Sequence, residues 1–401
     1  MLQTRSYQRM RRLYEAACKD KDSTIGSNQF LEDFRESMVN GHYDPFQFSI
    51  RELFEHLVPD GREIMASWNP RTRVNSGVVL TEAGGAVTTG MFANVFGQIT
   101  YSTVLKRFEN PVFLWPQLSR NVPTPYEFER VPGVSNLGDV TEDIAEGAPY
   151  PTAGVSEEWI DTRPTVKHGV IVPVTKEAAF FDRTGQVLSQ AMKVADALAI
   201  DKEKRIVAMA VGNTDAYRRN GKAAVQTYND NTGDHDWDNL AASNGLTNYT
   251  DVENAMLLLE AITDPDTGEP VLVNVETMKL LVPPALRMTA RNILNATEIR
   301  FGDITAGAGL QTVGSRNPIT LGDGSVLSNQ YVKDATSSDT TWFFGDWMEA
   351  ITYRENWPIS TPPIPPNSHD EIHNDIMHQF KVTERGEVQM EQPRVLVKST
   401  G

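Results

Sequence analysis

A chain of 401 residues with 40% hydrophobic and 22% charged content has the composition of an ordinary globular protein and the length of two or three domains. Its 37 basic against 53 acidic residues leave a net charge of −16, which argues against sequence-reading of nucleic acid, because phosphates repel an acidic surface without a local basic patch. The single cysteine, Cys18, excludes an intrachain disulfide, and no apolar run reaches the roughly 18 residues that a membrane span needs.

The first 65 residues read as helical. Met10, Leu13, Tyr14 and Ala17 follow an i, i+3, i+4, i+7 stripe; Phe30, Leu31, Phe34 and Met38 form a second; Ile50, Leu53, Phe54 and Leu57 form a third, stopped by Pro59-Asp60-Gly61. Arg5, Arg9, Arg11 and Arg12 are not followed by an apolar stretch, so no secretory signal is expected. They read as the solvated face of an amphipathic helix, with a nucleic-acid contact as the alternative. Residues 66–122 are mixed, with a helix expected over 93–108.

An arm comes next. Tyr126 and Phe128 alternate with Glu127 and Glu129, a period-two strand. From Pro132 to Gly154 the chain is rich in Gly, Pro and acidic residues and has too few apolar ones to build a core, so it reads as a long exposed loop. Val166, Val170, Val172 and Val174 give the return strand. A helix of more than twice the usual globular length follows, from Arg183 to Val211, with Asp182 or Thr184 as N-cap and Gly212 as the left-handed C-cap.

Residues 213–248 are polar and read as a surface loop. Val252, Ala255, Met256 and Leu259 mark a helix, Val271–Val275 a short strand, and Pro284–Leu294 a helix with proline in its first turn. Segment 301–325 is Gly-rich. Gln330–Val332 and Thr341–Phe344 are strand candidates, and Pro358–Pro366 reads as an extended connector. The C-terminus reads as a hairpin from Ile376 to Val397, turning near Arg385-Gly386, with Pro393 at an edge or bulge.

No constellation selects a reaction. His369, His373 and His378 lie among acidic residues, but they follow a proline-rich run and read as polar surface at a strand entry. Asp234, Asp236 and Asp238 mimic the start of a calcium loop, yet Asn239 and Gly245 stand where that loop needs Gly and Glu. Gly307-Ala308-Gly309-Leu310 lacks the Lys-Ser/Thr of a phosphate loop. Cys18 has no histidine nearby and reads as a small helical residue. No cofactor, metal or catalytic residue is expected, and the chain is not expected to be an enzyme.

The order of motifs carries more. Glu146-Gly147 stands at the arm tip, and Pro164-Thr165-Val166-Lys167-His168-Gly169-Val170 leads through Val174-Thr175-Lys176-Glu177 into the long helix. Then come Tyr249-Thr250-Asp251-Val252, Leu281-Val282-Pro283-Pro284-Ala285, Phe344-Gly345-Asp346 and Gln392-Pro393-Arg394-Val395. Over roughly residues 120–400 this order resembles the major capsid protein of tailed bacteriophages. The resemblance implies an α+β, Hong Kong 97-like fold. Residues 1–65 would be a helical N-terminal extension, 66–122 the N-arm and connector, 123–174 the extended β-hairpin called the E-loop, and 175–212 the spine helix of the P-domain. Residues 213–345 would form the A-domain, and 346–401 would return to the P-domain and end in the hairpin that completes its sheet.

The resemblance also implies a subunit that assembles with itself into the pentamers and hexamers of an icosahedral shell. That shell would enclose double-stranded DNA without reading its sequence, in a virion capsid built in the host cytoplasm. The implied partners are a portal protein and, in some relatives, scaffold or decoration proteins; a membrane is not among them. The E-loop would contact the neighbouring subunit, and the candidate contact residues are Tyr126, Phe128, Glu146, Gly147, Trp159 and Lys167. Some relatives join an arm lysine to a neighbour's asparagine. Here no lysine lies between Val131 and Trp159, so no such cross-link is expected. An encapsulin-type compartment shell, which shares this fold, is the alternative. A soluble enzyme is the other, disfavoured because no acid, base or metal group stands in a recognisable setting.

Overall fold

The computed structural model describes residues 113–132, 143–144, 150, 159–175, 186–230, 237–264, 268–271, 274, 277–303, 311–317, 319, 321, 323–360 and 376–401. The helices expected over 1–65 and 93–108, the caps Asp182 and Thr184, Asp234 and Asp236, the 307–310 segment, His369 and His373, and Glu146 and Gly147 lie outside these residues. The architecture is α+β. The chain divides into two compact units, residues 112–166, 201–356 and 386–401 forming one and residues 1–111, 167–200 and 357–385 the other.

The larger unit is built on a five-stranded mixed sheet. Its strands are β5 (Leu240–Ala241), β6 (Lys279–Val282), β9 (Val326–Ser328), β10 (Trp342–Gly345) and β13 (Leu396–Ser399), in the order β5-β13-β10-β6-β9. β10 is antiparallel to both neighbours, while β13–β5 and β6–β9 are parallel. Every residue of β10 is buried, so Trp342, Phe343 and Phe344 fill both faces. Each such ring contributes about 1.5–3 kcal/mol relative to exposure. The Trp342 indole N–H donates to the Asn244 carbonyl at 2.8 Å and that of Trp347 to Lys279 at 2.9 Å, so neither is buried without a partner.

Helix α3 (Tyr249–Glu260) starts at a capping box. The Asn248 side chain accepts from the Thr250 N–H, and the Asp251 carboxylate accepts from the Asn248 N–H. α3 buries Val252, Ala255 and Leu259. α4 spans Arg287–Asn295 and buries Ala290, Ile293 and Leu294. It begins three residues after Pro284, which occupies the turn before it rather than the helix's first turn.

Several expectations need correction. Val271 lies outside any strand; the strand of this region is β6, where Leu280, Leu281 and Val282 are all buried. Gln330–Val332 is the start of helix α5 (Gln330–Thr336), because the Asn329 side chain accepts the Tyr331 N–H and caps it. The Gly-rich 301–325 stretch contributes an antiparallel ribbon, β7 (Glu298–Asp303) with β8 (Gln311–Arg316). Nor is 213–248 merely a surface loop. Tyr217, Tyr228 and Trp237 are buried in it. Asn239 is fully buried, accepting the Asn229 N–H at 2.7 Å while its amide nitrogen lies 2.9–3.1 Å from the carbonyls of Thr227, Pro393 and Leu396. Polar residues hid this segment because they bond inward.

Helix α2 (Gln186–Val211) has 26 residues, a rise of about 39 Å. It ends as expected: Gly212 has φ +76°, and its N–H and that of Asn213 return to the carbonyls of Met209 and Ala208. In the larger unit, its Ile206, Val207 and Ala210 are fully buried. So is Glu203, which accepts the N–H groups of Leu114 and Trp115 at 2.8–3.1 Å and the Asn329 amide at 2.6 Å. It thereby caps the short helix α1 (Trp115–Leu118) from outside. Lys202 is buried beside it, 4.4 Å from the Trp115 ring centroid and 3.8 Å from that of Tyr353.

In the smaller unit, α2 buries Val194, Leu198 and Ala199. There β4 (Val166–Thr175) lies beside the first part of β12 (Ile376–Met390). Gly169 permits their approach, since a Cβ there would sit 2.8 Å from the Val382 carbonyl oxygen.

The expected C-terminal hairpin does not form. β12 runs straight through Arg385-Gly386 to Met390; a single-turn 3₁₀ helix (Pro393–Val395) then leads into β13 in the five-stranded sheet. Gly386 serves packing, not turning: a Cβ would come within 2.6 Å of the Tyr353 hydroxyl and 2.7 Å of the Arg354 carbonyl. Pro393 takes the first helical position instead of a sheet edge. Pro358 also lies within a strand, β11 (Ile351–Ser360).

Candidate interaction surface

The root of the arm is a ribbon in the larger unit. β2 (Arg130–Pro132) and β3 (Trp159–Asp161) pair antiparallel, with Arg130 opposite Asp161 and Pro132 opposite Trp159. Toward the body the pairing continues irregularly. The Thr162 N–H donates to the Glu129 carbonyl at 3.1 Å, the Thr165 N–H to that of Glu127 at 2.8 Å, and the Glu129 N–H to the Thr162 hydroxyl at 2.8 Å. Tyr126–Glu129 is therefore a paired but bent segment rather than the regular strand expected. Side chains take its backbone groups: the Thr124 hydroxyl accepts the Tyr126 N–H, and the Asn356 amide donates to the carbonyls of Thr124 and Tyr126.

The other face of this segment is bound to the body by charge. Arg354, on β11, pairs with Glu129 and with Glu391 at 2.7 Å; Glu391 also meets Arg120 at 3.2 Å. Arg354, Glu129 and Glu391 are largely buried, so each carboxylate keeps the guanidinium from being an uncompensated buried charge. The second leg is tied as well. The Arg163 N–H donates to Gln389 at 2.9 Å, and the Arg163 guanidinium lies 3.5 Å from the Glu387 carboxylate.

This arrangement inverts the usual pattern. Glu129 turns toward the body, while Tyr126 and Phe128 are 61% and 72% exposed. Tyr150, in the arm itself, is 81% exposed. Exposed large aromatic side chains such as Tyr126 and Phe128 are enriched on surfaces that meet a partner. Trp159 is half-buried, with the Arg130 guanidinium 5.0 Å over its ring. Lys167 is exposed on β4 and belongs to the smaller unit. Arg354, Asn356 and Gln389 were not singled out in the sequence; they stand 225–232 residues from the arm segments they hold, and no local pattern marks them.

A third segment completes the root. Arg219 bridges to Ile160, the Asp161 N–H donates to the Arg218 carbonyl at 3.0 Å, and Trp159 and Asn220 exchange two bonds of 2.9 Å. Asn220 and Gly221 both have positive φ, +52° and +72°, so Tyr217–Val225 closes as a tight hairpin. The Asn-Gly pair is a sequence signal that could have revealed it. Among the described residues no group of three or more His, Cys, Asp or Glu could hold a metal ion, and no helix is long and apolar enough to cross a membrane.

A family model described as phage capsid protein matches residues 160–394. Comparison with curated proteins gives no match. Among solved structures the chain is similar to the capsid of a native GTA particle, at 12% identity over 73% of this chain and 90% of that one, with a TM-score of 0.43. It is similar to a virus-like particle from Pyrococcus furiosus, at 11% identity over 75% and 97%, with a TM-score of 0.40. For Mycobacterium phage Che8 the values are 14% identity over 68% and 84%, with a TM-score of 0.38.

Proposed function

The chain belongs to the phage capsid protein family, and from that premise we propose that it is the major head protein of a tailed bacteriophage, forming an icosahedral shell around double-stranded DNA. It is a structural protein of the virion capsid. Residues 123–174 act as the arm that reaches a neighbouring subunit, α2 is the spine that anchors it, and residues 213–345 are the domain that meets its copies around the shell's symmetry axes. A portal protein occupies one vertex, and a scaffold or decoration protein is a further candidate partner. The acidic chain encloses DNA without gripping it, since few phosphates are neutralised.

The observation that carries this reading is the pair Tyr126 and Phe128, held outward while Glu129 is turned in to Arg354. A subunit alone gains nothing from that arrangement. In a shell each ring would bury apolar area worth about 1.5–3 kcal/mol, repeated at every contact. The double variant Tyr126→Ala/Phe128→Ala should therefore unfold at about the same temperature as the parent subunit, because exposed positions change stability by roughly 0.5 kcal/mol or less. Its particle yield, counted by electron microscopy, should fall at least tenfold. A variant that builds shells as well as the parent would remove the arm from the contact. The particle contents separate the two shell readings: genome-length DNA for a phage head, a protein cargo for an encapsulin-type compartment.

With no lysine between Val131 and Trp159, the arm holds its neighbour by noncovalent contacts alone. Mature particles boiled in denaturant should run as single chains on a gel, and a ladder of covalent multimers would contradict this.

A further inference from the structure

The hairpin 217–225 carries two cations, Arg218 and Lys222, that make no ion pair among the described residues. Its tip reads Arg218-Arg219-Asn220-Gly221-Lys222. The tip is held rigidly: Tyr217 is buried against Trp237, edge to face at 5.6 Å, the Val225 N–H donates to the Tyr217 carbonyl at 2.9 Å, and Arg218 to Asn220 are bonded to β3. Arg218 and Lys222 are exposed and make no ion pair among the described residues, whereas nearby Arg130 is matched by Asp161 at 3.2 Å. Asp215 is the nearest acid in sequence. In a chain of net charge −16, two fixed cations, Arg218 and Lys222, without an ion pair among the described residues stand out.

The complement lies in the same sequence. Between Arg130 and Trp159 stand Asp139, Glu142, Asp143, Glu146, Glu157 and Glu158, with no lysine or arginine among them. We infer that Arg218 and Lys222 form the docking knuckle for the acidic arm of a second copy of this chain. The inference rests on the shell reading and gives it a landing point. Charge complementarity of this kind steers encounter and fixes register more than it adds raw affinity, which suits an arm that must find one place on each neighbour. Two free cations would neutralise only two phosphates, a small contribution to holding nucleic acid, so the acidic arm is the better-matched partner.

The test uses full-length chains. Arg218→Glu/Lys222→Glu should give a soluble subunit with an unchanged melting temperature, and its critical concentration for assembly should rise at least tenfold. Asp139→Lys/Glu142→Lys/Asp143→Lys should fail in the same way, and both sets of reversals in one chain should recover shells. The milder Arg218→Gln/Lys222→Gln guards against misfolding, and its assembly defect should be mimicked in the parent by raising salt, which screens exposed charges beyond about 8–10 Å. Normal assembly of the knuckle variants overturns the proposal, as do normal shells that only lose their nucleic acid, which would assign the knuckle to phosphate. A lowered melting temperature of the isolated subunit with assembly intact also overturns it, because the knuckle then serves its own arm. If the parent chain builds no particles at all, the shell reading itself has failed.

Discussion

Replacing Gly345 by alanine is expected to destabilise the subunit by about 4 kcal/mol, a large fraction of the roughly 5–15 kcal/mol that holds an ordinary domain folded. Gly345 ends β10 with φ +151°, a conformation that side chains rarely adopt. A Cβ built there would sit 2.2 Å from the Val395 carbonyl oxygen and 2.9 Å from the Leu396 Cα. Those are backbone atoms of the segment that crosses into β13, so no rotamer change relieves the overlap. β10 and β13 would have to separate at Gly345 and Leu396, which are register partners, and the fully buried ring of Phe344 beside them would lose its packing. Denaturant unfolding of the unassembled subunit measures the loss, and an unchanged midpoint would refute this account of the sheet junction.

Glu203→Leu is expected to have a similar effect, about 3–5 kcal/mol, for a different reason. The carboxylate accepts from two backbone N–H groups and from Asn329 in a fully buried position. Leucine would leave all of them without a partner, at about 1–3 kcal/mol for each unsatisfied group before relaxation. Burial pushes the Glu203 carboxyl above its ordinary range, against the lowering pull of Leu114, Trp115 and Asn329. Its folded-state pKa therefore stands above the unfolded one. The proton-linked contribution is fully present below the ordinary carboxylate range and is lost as pH rises through the raised value. Glu203→Gln, which cannot titrate, should flatten that part of the stability–pH curve while keeping one acceptor oxygen. A Glu203→Leu subunit as stable as the parent would show that α1 needs no outside cap.

What was legible in the sequence had a period. α2 was readable because Val194 and Leu198 keep helical spacing and Gly212 supplies the left-handed end. α3 and β10 followed from the same logic. The readings that failed are those where a residue's local preference serves a distant partner. Arg385-Gly386 looks like a turn, yet Gly386 exists to let Tyr353 and Arg354 approach. Asn239 looks like loop, yet it fastens two segments more than 150 residues apart. Gln330–Val332 looks like a strand, but Asn329 caps a helix there. At the arm, the alternation of Tyr126, Glu127, Phe128 and Glu129 suggested a regular strand, but the segment bends and Glu127 is exposed along with both rings, so that only Glu129 turns in. Which face looks outward depends on Arg354, and nothing local to the arm announces it.

The central claim is that the arm is an inter-subunit strap carried by a body that folds without it. Removing residues 138–154 tests this most directly, with analytical ultracentrifugation of the variant beside the full-length chain. The account predicts a folded, soluble subunit that sediments as small species where the full-length chain sediments as closed shells. A boundary of intact shells from the shortened chain would contradict it.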